Sequence, residues 1–190
     1  TLVMNEHRLK EYVDSFYLCG FMATGKSSIG SLLSKKLELP FQDLDRYLER
    51  KEGRTISGIF KDEGESYFRE KEREYLMDLS TSFKGILALG GGSLQNQNIV
   101  DHLKLHGLLV FIETPMDVIV KRVLRNKKRP IVLDKQGKIK SREVLLNELN
   151  MLYSNRENFY KQAQIQVKSD GFGTEEQLVD IIIDKIKKHV

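Results

Sequence analysis

A glycine-containing segment near the start of the chain has the residue types of a phosphate-binding loop. Residues 20–27 read Gly-Phe-Met-Ala-Thr-Gly-Lys-Ser and match the pattern G-x-x-x-x-G-K-[ST]. In such a loop, backbone N–H groups converge on phosphate oxygens, and the following helix adds its positive dipole end. Lys26 would reach the β- and γ-phosphates, and the Ser27 hydroxyl would coordinate Mg²⁺. The segment predicts binding of a nucleoside triphosphate, but it does not distinguish a kinase from a switch or a motor.

Two acidic residues follow the predicted second strand. Asp43 and Asp45 are two positions apart, so they would lie on the same side of the chain if it stayed extended. One carboxylate could then support Mg²⁺ while the other contacts a substrate hydroxyl. The alternative is a helix N-cap followed by a solvated acid, because residues 46–51 have a helical pattern. The pair alone does not decide between these two interpretations.

The elements that must position these residues alternate between short apolar strands and amphipathic helices, which is typical of a parallel α/β sheet. Strands are predicted at residues 16–19, 40–42, 85–89, 108–112 and 165–168. Helices are predicted at 26–37, 54–60, 66–79 and 143–161, and Thr114 and Pro115 would open another as N-cap and first residue. Thr174 and Gln177 form a capping box for a final helix. Its predicted inward residues are Leu178, Ile181, Ile182 and Ile186.

The composition narrows the class of protein. The chain has 190 residues, of which 40% are hydrophobic and 31% charged, as expected for one globular domain. No apolar run approaches the ~20 residues of a membrane-spanning helix, and residues 1–14 lack the apolar stretch of a secretory signal. Cys19 is the single cysteine, which excludes an intrachain disulfide and a Cys-rich zinc module and favours an intracellular location.

The positive charge leaves several kinds of partner open. A net charge of +4 and a pI of about 9.0 are compatible with nucleic acid, a membrane surface or small anions. No nucleic-acid-binding motif or aromatic stacking platform is recognisable, which favours small anionic ligands.

Four further segments follow the acidic pair in a fixed order. They are G-R-T-I-S-G-I-F at residues 53–60, E-G-E at 63–65, F-R-E-K-E at 68–72 and L-G-G-G at 89–92. Together with the D-x-D pair they resemble the shikimate kinase family, which carries these patterns in the same order. Arg129-Pro130 resembles the family's lid, and Arg156 with Tyr160 resembles its R-x-x-x-Y segment. The resemblance covers essentially the whole domain from residue 16 onwards.

The resemblance implies an ATP site built on the phosphate loop. Lys26 would bind the phosphates, Arg122 would lie over the adenine, and Arg129 would move in with the lid to stabilise charge on the transferring phosphate. Ser27 and Asp43 would serve Mg²⁺, Asp43 through water. The implied nucleotide-binding residues are Gly20, Ala23, Thr24, Gly25, Lys26, Ser27, Ser28, Arg122 and Arg129.

The resemblance also implies an acceptor site. Asp45 would hydrogen-bond the acceptor hydroxyl and orient or deprotonate it. Arg69 and Arg156 would clamp the shikimate carboxylate, since a guanidinium offers two parallel hydrogen bonds. The glycine loop would approach the ring through its backbone, where a side chain would collide. The implied acceptor-binding residues are Asp45, Arg69, Gly90, Gly91, Gly92 and Arg156, and the implied catalytic residues are Lys26, Asp45 and Arg129.

The sequence departs from the family pattern in a few places. The span from Pro130 to Arg156 is several residues longer than in a typical member, which makes Arg142 a second, weaker candidate for the role of Arg156. Ala23, Ser28 and Asn158 stand where the family commonly has a small residue such as glycine, a threonine and a proline. None of these departures removes a group that the chemistry needs.

The sequence therefore predicts a member of this family with an α/β, three-layer P-loop kinase fold. We expect a five-stranded parallel sheet of order 2-3-1-4-5 flanked by helices, an acceptor-binding subdomain at residues 46–79 and a lid at 127–141. Residues 15–190 would form the single domain and residues 1–14 an N-terminal arm of unassigned function.

The expected reaction is transfer of the ATP γ-phosphate to the 3-hydroxyl of shikimate with Mg²⁺. A related small-molecule kinase, such as one for gluconate, and a binding module without turnover are the alternatives. Lys26, Asp43 and Asp45 are all present, which favours an enzyme. We expect a cytoplasmic monomer that binds ATP and shikimate, with no nucleic acid or membrane partner.

Overall fold

The computed structural model describes residues 15–127, 129–171 and 173–190, and these residues form a five-stranded parallel sheet. Its strands are Ser15–Cys19 (β1), Phe41–Asp43 (β2), Gly85–Ala88 (β3), Leu108–Glu113 (β4) and Ile165–Lys168 (β5). They are hydrogen-bonded in the order β2-β3-β1-β4-β5, and every pair is parallel. The predicted order is confirmed. The predicted arm, residues 1–14, lies outside the described residues.

The predicted helices are present with shifts of a few residues at their ends, and the structure adds one at residues 97–106 that was not predicted. They are Lys26–Leu37 (α1), Leu44–Glu52 (α2), Ile56–Glu63 (α3), Glu65–Ser82 (α4), Gln97–His106 (α5), Met116–Arg125 (α6), Arg142–Tyr160 (α7) and Glu175–His189 (α8). None of the described helices is long and apolar enough to cross a membrane.

Side-chain alternation along the central strand divides the core into two layers. Phe16 and Leu18 of β1 belong to the apolar cluster beneath α1 and α8. Tyr17 and Cys19 face the other way, into the cluster formed with α2 and α4 to α7. Because both faces of β1 are covered, the strand is apolar throughout, as expected for a buried parallel strand. The three-layer architecture is confirmed.

Two details of the predicted helices are wrong. Thr114 is not the N-cap of α6: Pro115 occupies that position, and the buried Thr114 hydroxyl has no hydrogen-bond partner among the described residues. In α8, Ile181 is 49% exposed, while Val179 is fully buried. At 100° per residue, the buried stripe set by Leu178 and Ile182 takes in position 179 and leaves 181 at its edge.

The region predicted to bind the acceptor has a small core of its own. Leu48 of α2, Ile59 of α3 and Phe68 of α4 form a separate buried cluster. Gly53 ends α2 with φ 68°, and Gly64 ends α3 with φ 85°, backbone angles that favour glycine and permit the tight turns between these helices. The role of residues 46–79 as a subdomain stays a prediction.

The segment predicted as a lid has local structure of its own. It contains the 3₁₀ turn Pro130–Val132 and an antiparallel bridge between Leu133 and Ile139. Lys140 at its end pairs with Glu148 of α7 at 2.6 Å. The segment is therefore joined to the side of α7, and its movement as a lid stays a prediction.

One histidine of α5 should make stability depend on pH. The Nε2 atom of His102 lies 2.7 Å from Ser80 Oγ, and its ring stacks on His106 at 4.2 Å. Partial burial, and then the neighbouring His106, lower the pKa of His102. The unfolded chain therefore binds a proton more readily than the folded one, so stability is lost as pH falls below about 6.5.

We expect His102→Gln, which keeps a polar group at this site, to lose less stability than the wild type between pH 7.5 and 5.5. Urea midpoints at the two pH values measure the difference. The exposed His189→Gln is the control and should behave as the wild type does. An unchanged pH dependence in His102→Gln would contradict the assignment.

Candidate active site

The phosphate loop connects β1 to α1 and depends on unusual backbone angles. Gly20 has φ 151°, Ala23 φ 59° and Gly25 φ 84°. A Cβ at Gly20 would lie 2.7 Å from the carbonyl oxygen of Ile112 in β4. Ala23 adopts a left-handed conformation, which an alanine tolerates at a modest cost. These angles turn the loop back over the end of the sheet.

Lys26 lies at the start of α1 and is nearly buried, with 8% of its surface exposed. Its Nζ donates hydrogen bonds to the carbonyl oxygens of Gly20 at 2.8 Å and Phe21 at 2.6 Å. The Thr24 hydroxyl lies 3.4 Å from the same nitrogen. Burial lowers the pKa of Lys26 to about 8, so the ammonium is still mostly charged at neutral pH. The loop therefore holds a buried positive charge at its centre.

Ser27 and Asp43 are brought together although they are 16 positions apart. The Ser27 hydroxyl donates a hydrogen bond to the Asp43 carboxylate. The other carboxylate oxygen of Asp43 accepts the backbone N–H of Arg46 at 3.1 Å and caps α2. Two hard oxygen ligands thus lie side by side at the mouth of the phosphate loop.

Asp43 and Asp45 do not lie on the same side of an extended chain. Of the two interpretations left open, the extended pair does not hold, because α2 begins at Leu44 and places Asp45 in the first helical turn. Asp43 is the N-cap, as in the alternative interpretation, but Asp45 is not a solvated acid. Burial, followed by the charges of Glu72 and Asp43, raises its pKa to about 6. Asp45 faces the glycine loop, since its Oδ1 lies 3.0 Å from the point where a Gly90 Cβ would be.

Arg69 of α4 is held by a buried carboxylate. Its Nη1 contacts Glu72 Oε1 at 2.7 Å, and Glu72 is only 1% exposed. Glu72 also accepts hydrogen bonds from Ser93 Oγ at 3.0 Å and Gln95 Nε2 at 3.1 Å. The Ser93 hydroxyl in turn accepts the Gly90 N–H at 2.7 Å. This network joins Arg69 to the glycine loop, so the pair is not an ordinary surface ion pair.

The glycine loop meets both predicted carboxylate-binding arginines. A Cβ at Gly92 would lie 2.7 Å from Nη1 and from Nη2 of Arg69. The carbonyl oxygen of Gly91 accepts a hydrogen bond from Arg156 Nη1 at 3.2 Å. Arg142, the second candidate, is exposed at the first position of α7, whereas Arg156 reaches the loop.

A cavity of about 820 Å³ joins the phosphate loop, the acidic pair and the glycine loop. Arg122 and Arg129 line it, and Arg122 Nη1 also donates to the carbonyl oxygen of Ala23 at 2.9 Å. The predicted residues in its lining are Ala23, Thr24, Gly25, Lys26, Ser27, Ser28, Asp43, Asp45, Gly90, Gly91, Arg122 and Arg129. Four predicted residues do not line the cavity, namely Gly20, Arg69, Gly92 and Arg156. The carbonyl oxygen of Gly20 nevertheless accepts a hydrogen bond from Lys26, and the other three meet at the glycine loop.

Several residues that complete the site were missed from the sequence. The cavity wall includes Lys168 at the end of β5, Ser169 and Asp170 directly after it, and Glu175 at the start of α8. Ser28 Oγ donates to Glu175 Oε1 at 2.6 Å, which ties the phosphate-loop helix to α8. Ligands of parallel sheets bind beyond the carboxyl ends of the strands, and this rule applied to β5 could have found the segment.

Comparison with known proteins identifies the family. The family model described as "Shikimate kinase" matches residues 22–187 of this chain. The chain belongs to the shikimate kinase family. Among curated relatives, a shikimate kinase of Aquifex aeolicus is 38% identical over 154 residues, 81% of this chain and 86% of the relative. A shikimate kinase of Sulfurihydrogenibium is 34% identical over 174 residues, 92% and 98% of the two chains.

Solved structures of shikimate kinases share the fold. The crystal structure of the enzyme from Aquifex aeolicus superposes with a TM-score of 0.76 at 35% identity, covering 91% of this chain and 96% of that one. The shikimate kinase of Acinetobacter baumannii in complex with shikimate gives 0.83 at 29% identity, covering 97% and 98%. A gluconokinase of Sinorhizobium meliloti gives 0.53 at 16% identity, covering 93% of each chain, which shows a common fold alone.

Removal of the buried charge in the phosphate loop should abolish tight nucleotide binding. Lys26→Met keeps an unbranched side chain of nearly the same length and removes the ammonium, so we expect ATP to bind at least about tenfold more weakly, the usual cost of a lost charge-assisted contact. Displacement of a fluorescent ATP analogue measures the change. Lys35→Met, at an exposed position of the same helix, is the matched control. Equal ATP affinity in both variants would contradict the assignment.

Proposed function

We propose that the chain transfers the γ-phosphate of ATP to the 3-hydroxyl of shikimate, giving shikimate 3-phosphate and ADP. The observation that carries this proposal is the meeting of Arg69 and Arg156 at the glycine loop, within reach of Asp45. Two guanidiniums and a carboxylate around one subsite suit an acceptor with both a carboxylate and hydroxyl groups. Family membership and the shikimate complex of the Acinetobacter relative support this choice of acceptor.

On the nucleotide side, phosphoryl transfer needs positioning and neutralisation of charge more than covalent chemistry. Lys26 would neutralise the β- and γ-phosphates from within the loop. Arg129, which lines the cavity, would neutralise charge on the transferring group. Arg122, held against the carbonyl oxygen of Ala23, would cover the base. The residues of the loop would bind the phosphates through their backbone N–H groups.

Ser27 and Asp43 are the residues that fit Mg²⁺. Mg²⁺ favours oxygen ligands and is usually held by one or two protein groups together with substrate phosphates and water. The adjacent hydroxyl of Ser27 and carboxylate of Asp43 provide such a pair. Within the described residues, no cluster of three or more His, Cys, Asp or Glu side chains could hold a metal ion. Bound there, Mg²⁺ would offset the negative charge of the triphosphate.

Asp45 would act on the acceptor hydroxyl. It lines the same cavity as Lys26 and lies against the glycine loop at Gly90. Its pKa of about 6 leaves it mainly ionised at neutral pH while it retains affinity for a proton. A carboxylate in that state can accept the hydroxyl proton as the oxygen attacks the γ-phosphate. The neighbouring Glu72 favours uptake of this proton, since its negative charge raises the pKa of Asp45.

A coupled ADP-release assay tests the reaction and the substrate together. With ATP and Mg²⁺, we expect ADP production to require shikimate, to stay at background with gluconate, and to stop when EDTA removes the metal. Production that requires gluconate would indicate the related kinase. ATP binding without ADP production for either acceptor would indicate a binding module. The monomeric state, the cytoplasmic location and the lack of nucleic-acid or membrane partners stay predictions.

Asp45→Asn should separate catalysis from nucleotide binding. The amide has nearly the same shape but does not accept a proton, so we expect kcat to fall by about 10²- to 10⁴-fold with little change in ATP affinity. Steady-state kinetics and nucleotide titration measure the two effects. Asp184→Asn, at an exposed ion pair with Lys188 in α8, is the control. Near-normal turnover of Asp45→Asn would reject the role of this carboxylate.

A further inference from the structure

Tyr160, the last residue of α7, donates its hydroxyl hydrogen to the carbonyl oxygen of Gly91. The same oxygen accepts a hydrogen bond from Arg156 Nη1 at 3.2 Å. A carbonyl oxygen has two lone pairs, so it accommodates both donors at once. None of the steps described above uses Tyr160, and its hydroxyl is nevertheless bound to the loop that the acceptor would approach.

The phenol of Tyr160 is held firmly. Its ring stacks on Phe111 of β4 with centroids 5.1 Å apart and an interplanar angle of 17°, and the residue is 1% exposed. Burial raises the pKa of Tyr160, so its hydroxyl stays protonated and remains a hydrogen-bond donor. The hydrogen bond therefore anchors Gly91 to the centre of the sheet through a buried side chain.

The planarity of the peptide bond carries this constraint to Gly92. The C=O of Gly91 and the N–H of Gly92 belong to one trans peptide and point in opposite directions. A donor that fixes the carbonyl oxygen of Gly91 thus also fixes the direction of the Gly92 N–H. The Cα of Gly92 lies against the guanidinium of Arg69, since a Cβ there would be 2.7 Å from Nη1 and Nη2. The orientation of the peptide before Gly92 therefore bears on the subsite of the carboxylate-binding arginines.

We propose that Tyr160 is a positioning residue for the acceptor carboxylate. It keeps the carbonyl oxygen of Gly91 paired when Arg156 turns from that oxygen to the acceptor, and it holds the Gly92 N–H in a fixed direction. Without the hydroxyl, Gly91 would depend on Arg156 alone, and the loop would compete with the acceptor for this guanidinium. The inference rests on the proposed function, because it states what holds the donors of the acceptor site in place.

Tyr160→Phe keeps the stacked ring and removes only the hydroxyl. We expect the KM for shikimate to rise roughly 5- to 20-fold, the usual effect of losing a buried hydrogen bond, with kcat and the KM for ATP within about twofold. Tyr153→Phe is the matched control, since Tyr153 lies two turns earlier in α7 and packs edge-on against Phe21. An unchanged KM for shikimate in Tyr160→Phe, or a loss confined to kcat, would overturn the proposal.

A nuclear magnetic resonance experiment tests the same hydrogen bond without any turnover. With glycine labelled by ¹³C at the carbonyl carbon and ¹⁵N at the amide, an HNCO spectrum shows only adjacent glycines, which in this sequence are 90–91 and 91–92. In Tyr160→Phe we expect the peak that joins the Gly91 carbonyl to the Gly92 amide to shift most. Tyr153→Phe should leave both peaks in place.

The two experiments separate the two proposals. If the 91–92 peak of Tyr160→Phe does not move, the positioning role is rejected whatever the activity. If the wild-type protein releases no ADP in response to shikimate, the proposed function fails, and the spectrum alone decides whether Tyr160 fixes the loop.

Discussion

A buried ammonium ion has to be surrounded by oxygen atoms, and the arrangement of this site depends on how the chain meets that need for Lys26. The phosphate loop turns the carbonyl oxygens of Gly20 and Phe21 inward to bind the side chain. That geometry requires positive φ at Gly20, Ala23 and Gly25, and a close approach of the loop to β4. The position of α1, and with it Ser27 beside Asp43, follows from the same turn.

On the acceptor side, several carboxylates and cations lie close together in a small volume, and here it is a buried negative charge that has to be stabilised. Glu72 is almost fully buried, and it is stabilised by Arg69, Ser93 and Gln95. Its charge raises the pKa of Asp45. Glu72 therefore holds Arg69 and also changes the proton affinity of the proposed base. Changes at Glu72 would therefore alter acceptor binding and proton affinity together.

The sheet order was predicted through the resemblance to the family, and the residues that the structure brings together around the cavity were singled out because the glycine loops and the D-x-D pair are local patterns. The sequence left open whether Asp45 lies in a helix, since a helix that starts at an Asp43 cap and an extended chain were both compatible with the pattern. Nothing in the sequence indicates that Glu72 is buried, because its partners Ser93 and Gln95 are more than 20 positions away. Ile181 was wrongly predicted to point into the core, because it lies at the edge of α8 that lines the cavity.

Cys19 ends β1 directly before the phosphate loop and is 1% exposed. Burial raises the pKa of its thiol to about 12, so almost none of the reactive thiolate exists at neutral pH. We therefore expect Cys19 to react very slowly with thiol-reactive dyes while the protein is folded. A cysteine introduced on the segment at residues 127–141 could carry a fluorophore alone, and the closure predicted for this segment could be tested without first removing the natural thiol.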